Sequence, residues 1–289
     1  MSPLELLFLL VFWTWVGCGL FFLRTTILPK TPRSATPREF GLSYKDVAFP
    51  ATDGVQLSGW LIADSTPTRP WLILCHGLGT TCADLLDLAA ALFREGYNLF
   101  LFDFRGHGES AGRVTSFGWW EQRDLEGALA FLGEQPEVPE RPYGIVGVSM
   151  GGAVAIMVAA RDERLGAVAV DGVYPDLEAS LAHHVELLYR LPRMPFLFVI
   201  KTAYRIRFGV WPRHMSPQKA VERLSSRKLL VIQGSKDARV PLEGTKTLME
   251  RAGTAHELFV IEGAGHLEGL ALDASAYVGK LTNFFISSL

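Results

Sequence analysis

Six short apolar runs, each closed by a small or polar residue, set the limits on what this chain can fold into. They are Trp71–Cys75 before His76, Asn98–Phe102 before Asp103, and residues 145–148 before Ser149. Residues 167–170 precede Asp171, 229–232 precede Gly234, and 258–261 precede Gly263. A strand buried on both faces must be apolar throughout, whereas a half-buried strand alternates. Residues 47–49 and 55–62 flank Thr52-Asp53-Gly54, a hairpin signal, and bring the expected strand count to eight. Helix-patterned stretches lie between the runs, at 82–95, 119–132, 151–161, 242–252 and 275–285. Strand and helix in regular alternation predict a mostly parallel α/β sheet with helices on both faces. The chemistry-bearing residues gather just after the runs, at the carboxyl edge where open α/β sheets bind ligands.

Residues 175–224 interrupt the alternation. A stretch that long is not expected to be structureless in a compact domain. It is apolar and helix-like, yet contains Pro192, Pro195, Pro212 and Pro217. It reads as a helical cap over the carboxyl edge, against the plainer reading of a packing insertion. Leu187, Leu188 and Phe196 are its candidate substrate-facing side chains. Arg190, Arg193, Lys201, Arg205 and Arg207 interleave with the apolar residues, as a bilayer contact or simply a solvated helix face.

The front of the chain is different. Residues 4–23 form an apolar stretch of about twenty residues with one charge, Glu5, enough for a helix across the roughly 30 Å of bilayer hydrocarbon. No Lys or Arg precedes it, which argues for an uncleaved anchor over a secretory signal. Arg24, Lys30, Arg33 and Arg38 follow it. The positive-inside rule then places the bulk of the chain in the cytoplasm of a single-pass protein. Residues 24–40, with Pro29, Pro32 and Pro37, read as an extended tether, and 41–289 as the alternating α/β domain.

Composition excludes other classes. There are 28 Lys plus Arg against 30 Asp plus Glu, a net charge of −2, and 49% hydrophobic residues. Neither disorder nor nucleic-acid binding fits that balance. Cys18, Cys75 and Cys82 lack zinc-ligand spacing and cannot form a disulfide framework; His183 and His184, being adjacent, do not share a helix face.

Gly147-Val148-Ser149-Met150-Gly151 matches G-x-S-x-G, with an apolar strand before it and a helix-patterned stretch after it. A tight strand-to-helix turn would expose the Ser149 hydroxyl over a helix N-terminus. A serine needs a base. Gly263-Ala264-Gly265-His266 follows the last strand and Gly234-Ser235-Lys236-Asp237 the one before it. The order Ser149, Asp237, His266 is that of a nucleophile, an orienting acid and a base on this kind of sheet. Asp171 is the rival acid and His256 the rival base. His76-Gly77-Leu78-Gly79 closes an earlier strand, so the backbone N–H groups of Leu78 and Met150 are the candidate oxyanion donors.

With these motifs in order, the chain from about Tyr44 onward resembles the α/β-hydrolase superfamily. It particularly resembles the branch carrying Asp-x-Arg-Gly-x-Gly-x-Ser, here Asp103-Phe104-Arg105-Gly106-His107-Gly108-Glu109-Ser110. That branch includes monoacylglycerol-lipase-like enzymes, serine-aminopeptidase-like hydrolases and membrane-tethered acyl-protein thioesterases. The resemblance implies cleavage of an acyl bond without metal or cofactor. Asp103, Arg105 and His107 are expected to brace their turn. The apolar cap and the nearby membrane favour a small-molecule or lipid acyl ester, or an acylated protein, as substrate. An aminopeptidase of the same fold would need an acid for the substrate amine, with Asp176, Glu178 and Glu186 as candidates. A membrane-tethered interaction protein without turnover is the remaining alternative.

Overall fold

The computed structural model describes residues 2–64, 69–139, 142–224, 227–253 and 256–289. Eight strands form one sheet in the order β1-β2-β4-β3-β5-β6-β7-β8. They are β1 (Lys45–Pro50), β2 (Gln56–Ile62), β3 (Trp71–Cys75), β4 (Asn98–Phe102), β5 (Tyr143–Val148), β6 (Leu165–Asp171), β7 (Lys228–Gly234) and β8 (Glu257–Ile261). The pairings β1–β2 and β2–β4 are antiparallel and all others parallel. Burial explains the sequence patterns. Every residue of β3, β4 and β5 is buried, whereas the edge strand β1 alternates along its second half.

The helices are α1 (Pro3–Thr25), α2 (Leu86–Arg94), α3 (Glu121–Gly133), α4 (Met150–Ala159), α5 (Leu177–Tyr189), α6 (Arg193–Phe208), α7 (Pro217–Ala220), α8 (Leu242–Ala252), α9 (Gly269–Leu272) and α10 (Ala274–Ile286). Helices α2 and α10 pack with Leu72, Leu74, Leu99 and Leu101 on one sheet face, and α3, α4 and α8 with Ile73, Phe100 and Ile145 on the other. Helix α4 is almost wholly buried. Helix α3 approaches the sheet closely at Gly127, where a Cβ would lie 2.5 Å from the Pro50 carbonyl oxygen. The insertion between β6 and β7 carries α5 and α6, which pack on each other and form the expected cap.

Two stretches differ from the sequence expectations. Residues 82–85 form a 3₁₀ turn before α2, closed by Thr81, whose N–H and hydroxyl both donate to Asp84. The Pro-rich stretch 24–40, expected as an extended tether, is fastened along the domain. Leu28 N–H donates to the Arg113 carbonyl at 2.8 Å and Thr115 N–H to that of Thr26 at 2.9 Å. Arg33 lies over the Trp60 ring at 4.2 Å and pairs with the buried carboxylate of Asp103 at 2.8 Å. Pro37–Phe40 is a 3₁₀ turn. Proline-rich backbone lacks internal hydrogen bonds, so it is held by what it lies against.

Helix α1 is long and apolar enough to cross a membrane, and Phe22 is its one buried residue. Its first turn is closed by a Ser2–Glu5 capping box, which accounts for the single charge. Its C-terminal half packs on α6, with Trp15 against Phe198 and Phe22 against Tyr204, at 6.0 and 6.5 Å between ring centroids.

Arg105 braces the 103–110 turn as expected. Its guanidinium donates to Asp124 at 2.6 and 2.8 Å and to Asp53 at 2.7 and 2.9 Å. Removing one partner of a buried ion pair leaves an uncompensated charge and costs about 3–5 kcal/mol. Arg105→Ala is therefore expected to lower stability by that amount in thermal melts. Adding Asp124→Leu is expected to recover part of it; no recovery would mean that the brace is not electrostatic.

Candidate active site

Ser149 stands between β5 and α4 with φ 51° and ψ −116°, a positive-φ conformation that a side chain rarely adopts. Backbone closeness forces it. A Cβ on Gly147 would meet the Gly151 carbonyl oxygen at 2.6 Å, and one on Gly151 would meet that of Cys75 at 2.4 Å. The Ser149 N–H donates to the Asp171 carbonyl at 2.8 Å, tying the turn to β6.

The fold brings the three candidate residues together. His266 Nε2 is 3.1 Å from Ser149 Oγ, and His266 Nδ1 is 2.7 Å from Asp237 Oδ2. Asp237 Oδ1 accepts from the N–H groups of Arg239 and Val240 at 2.8 and 2.9 Å, and Gln233 donates to Oδ2 at 3.1 Å. Burial pushes the Asp237 carboxyl up, but the hydrogen bond from His266 and those two N–H groups outweigh it and hold it below its ordinary value. An ionised Asp237 fixes the proton on Nδ1 and leaves Nε2 free to accept the serine proton.

The rivals are engaged elsewhere. The Asp171 carboxyl accepts from the Tyr277 hydroxyl at 3.0 Å, and burial raises it to about 7. His256 Nδ1 accepts from Leu229 N–H at the start of β7, the far end from Ser149. Leu78 and Met150 flank Ser149 in the same cavity, and among the described residues their N–H groups have no acceptor. Gly77 approaches so closely that its Cβ would lie 3.4 Å from that of Ser149.

Two buried histidines set this loop. His107 Nε2 accepts from Gly79 N–H at 3.1 Å while Nδ1 donates to the Arg105 carbonyl at 2.9 Å. His76 Nε2 accepts from Phe104 N–H at 2.9 Å while Nδ1 donates to the Gly77 carbonyl at 2.7 Å. Each ring therefore uses one donor and one acceptor, the pattern of neutral imidazole. The rings meet edge to face at 4.9 Å. Burial lowers both, His76 to about 4. Asp103, besides Arg33, accepts from Cys82 N–H and Glu109 N–H at 2.8 and 2.9 Å. These residues hold the site without facing it.

Ser149 and His266 open into a cavity of about 680 Å³. Leu188 and Phe196 line it as expected. Leu187 does not: the lining positions on α5 run 177, 180, 181, 184, 185, 188 and 189, and Leu187 is not among them. The sequence reading missed Phe117, whose carbonyl accepts from the Tyr174 hydroxyl, and the whole contribution of α1. Thr14, Gly17, Cys18, Phe21, Phe22 and Thr25, spaced three and four apart, form one wall. His183 and His214 lie outside the cavity, each bonded to a backbone carbonyl, whereas His184 lines it. No group of three or more metal-ligating side chains occurs among the described residues.

A family model described as serine aminopeptidase, S33, matches residues 66–188, and one described as TAP-like protein matches 204–286. The Bacillus subtilis uncharacterized protein YqkD is 27% identical over 239 residues, 82% of this chain and 77% of that one. The Aspergillus aculeatus thiohydrolase aneE is 33% identical over 141 residues, 48% of this chain and 43% of its own length. A crystallised Pyrococcus furiosus esterase superposes with a TM-score of 0.75 at 26% identity, covering 90% of this chain and 99% of that one.

The histidine pair predicts acid sensitivity. A folded-state value lowered below the ordinary 6.5 means that the unfolded chain binds the extra proton between pH 6.5 and about 4. Stability is then fully present above 6.5 and falls as pH drops, by about 3 kcal/mol for His76. Melting temperatures from pH 8 to 4.5 are expected to fall with acid, and His76→Gln to flatten that slope. An unchanged slope in the variant would sink this assignment.

Proposed function

We propose that this chain, a member of the α/β-hydrolase superfamily, is a membrane-anchored serine hydrolase that cleaves a hydrophobic acyl ester or thioester. The observation that carries the reading is the hydrogen-bonded series Ser149 Oγ, His266 Nε2, Nδ1 and Asp237 Oδ2, opening into an apolar cavity. Similarity to an esterase and to a thiohydrolase supports the bond class.

In this mechanism Ser149 Oγ attacks the acyl carbonyl carbon while His266 Nε2 takes the serine proton. The negative oxygen of the tetrahedral intermediate accepts from the N–H groups of Leu78 and Met150; one such donor is typically worth about 10²–10³ in rate. The C–O or C–S bond to the leaving group breaks, and His266 returns its proton to that group. Water then adds to the acyl-enzyme with His266 as base, and the acid leaves with Ser149 restored. Asp237 stays ionised throughout and stabilises the imidazolium.

The aminopeptidase alternative is weaker. Among the described residues no carboxylate lines the cavity, and Asp237 lies behind His266, to which it is bonded. Glu178 pairs with Lys201, Glu186 with Arg193 at 2.9 Å, and Asp176 caps the N-terminus of α5. None of the three lines the cavity, where a substrate amine would have to be met. A purely non-catalytic role would leave the strained, base-paired serine unexplained.

The anchor reading rests on α1, and the cytoplasmic placement on Arg24, Lys30, Arg33 and Arg38 after it. A C-terminal reporter active only in the exported compartment would overturn that placement.

Hydrolysis of p-nitrophenyl esters by the full chain in detergent tests the catalytic reading. Wild-type turnover is expected, with Ser149→Ala at background. Asp237→Asn is expected to keep the fold and lose about 10⁴ in kcat, because the amide no longer fixes the tautomer or stabilises the cation. Turnover surviving in Ser149→Ala would falsify the mechanism.

A further inference from the structure

Helix α1 is more than an anchor in its contacts. The face Thr14, Gly17, Cys18, Phe21, Phe22 and Thr25 closes the cavity that holds Ser149 and His266. It stands opposite the α5 face that includes Leu181, Val185 and Leu188. An adjoining flank of the helix packs on α6, where a Cβ on Gly19 would meet Val199 at 3.6 Å. The remaining surface of α1 is exposed and apolar, including Leu10, Trp13 and Leu20. Cap side chains beside it are exposed as well: Leu188 by 60%, Met194 by 66% and Phe198 by 52%. The helix and the cap edge thus form one continuous apolar exterior, with a cavity behind it.

Depth follows from helix geometry. The stretch before Thr14 rises about 16 Å, roughly half the hydrocarbon thickness of a bilayer. The half of α1 that lines the cavity then lies at the level of the nearer leaflet. From Thr25 back to Thr14 the wall also runs about 16 Å, the extended length of an acyl chain of about a dozen carbons. Gly17 leaves this wall open: a Cβ there would meet no heavy atom within 4 Å.

Resting on the serine-hydrolase reading above, we propose that this face of α1 is the far end of the acyl subsite. The helix that enters the bilayer also grips the chain of its substrate, a long-chain acyl ester resident in the same leaflet. Methylenes buried along the wall should each be worth about fourfold in kcat/KM, from about 0.8 kcal/mol per buried methylene. A ligand of this kind suits a cavity that is apolar and has few fixed charges.

The test compares butyryl and dodecanoyl p-nitrophenyl esters with the full chain in detergent micelles. Gly17→Trp would fill the open part of the wall. It is expected to lower the dodecanoyl-to-butyryl ratio of kcat/KM by about thirtyfold or more, the value of two or three methylenes. Leu20→Trp, at an exposed position of the same helix that does not line the cavity, is expected to leave the ratio at the wild-type value. A second readout does not depend on the Trp variant folding. A hexadecyl fluorophosphonate on Ser149 is expected to protect Cys18 from maleimide, while an ethyl fluorophosphonate is not; Cys75 and Cys82 are fully buried. An unchanged ratio in folded Gly17→Trp, or equal Cys18 labelling with both reagents, would overturn the α1 subsite and leave the catalytic reading standing. A wild-type chain inert to both esters and both phosphonates would instead overturn the catalytic reading.

Discussion

The site depends on the positive-φ conformation of one residue. Holding Ser149 there costs of order 1–3 kcal/mol, and such strain persists only where the surroundings over-determine it. Here they do so from two sides. The backbone of α4 at Gly151 presses on the carbonyls of Cys75 and His76, and the Ser149 N–H is claimed by β6. The turn is therefore wedged between the ends of β3 and β6, on either side of β5. Because β3 also carries the 76–79 loop, the wedge sets the distance between the serine hydroxyl and the N–H groups of Leu78 and Met150.

Buried polar groups fix that loop from behind. His76 and His107 act as neutral connectors, each joining one backbone N–H to one carbonyl. Asp103 collects two further N–H groups from the 3₁₀ turn at Cys82 and the turn at Glu109. Buried polar networks of this kind specify one arrangement when every member is satisfied. The residues that set the geometry are then mostly ones that never meet substrate.

Much of this was legible in the chain. The central strands were readable because burial on both faces leaves an uninterrupted apolar run, as in Trp71–Cys75. Ser149, Asp237 and His266 stand out in the chain because each follows such a run, and the fold brings the three within hydrogen-bonding distance. The roles of His76 and His107 were not, since their partners are backbone groups from other turns. Helix α3 begins at Glu121, two residues later than its pattern suggests, because the buried Glu121 carboxylate gathers Thr115, Ser116 and Gly118 into a preceding loop. The inner face of α1 was least legible. A helix apolar all round looks the same whether it meets lipid or protein, and the small residues Thr14, Gly17 and Cys18 were its one cue.

The Arg33–Asp103 pair joins the segment after α1 to the same carboxylate that organises the turns behind the site. If a protease severed α1 and its strap together, Asp103 would be left buried with its cation gone. The liberated domain would lose both a wall of its cavity and the counter-charge behind its 76–79 loop. A single cut in the chain would thus reach the site from two directions, from the cavity in front and from the charge behind.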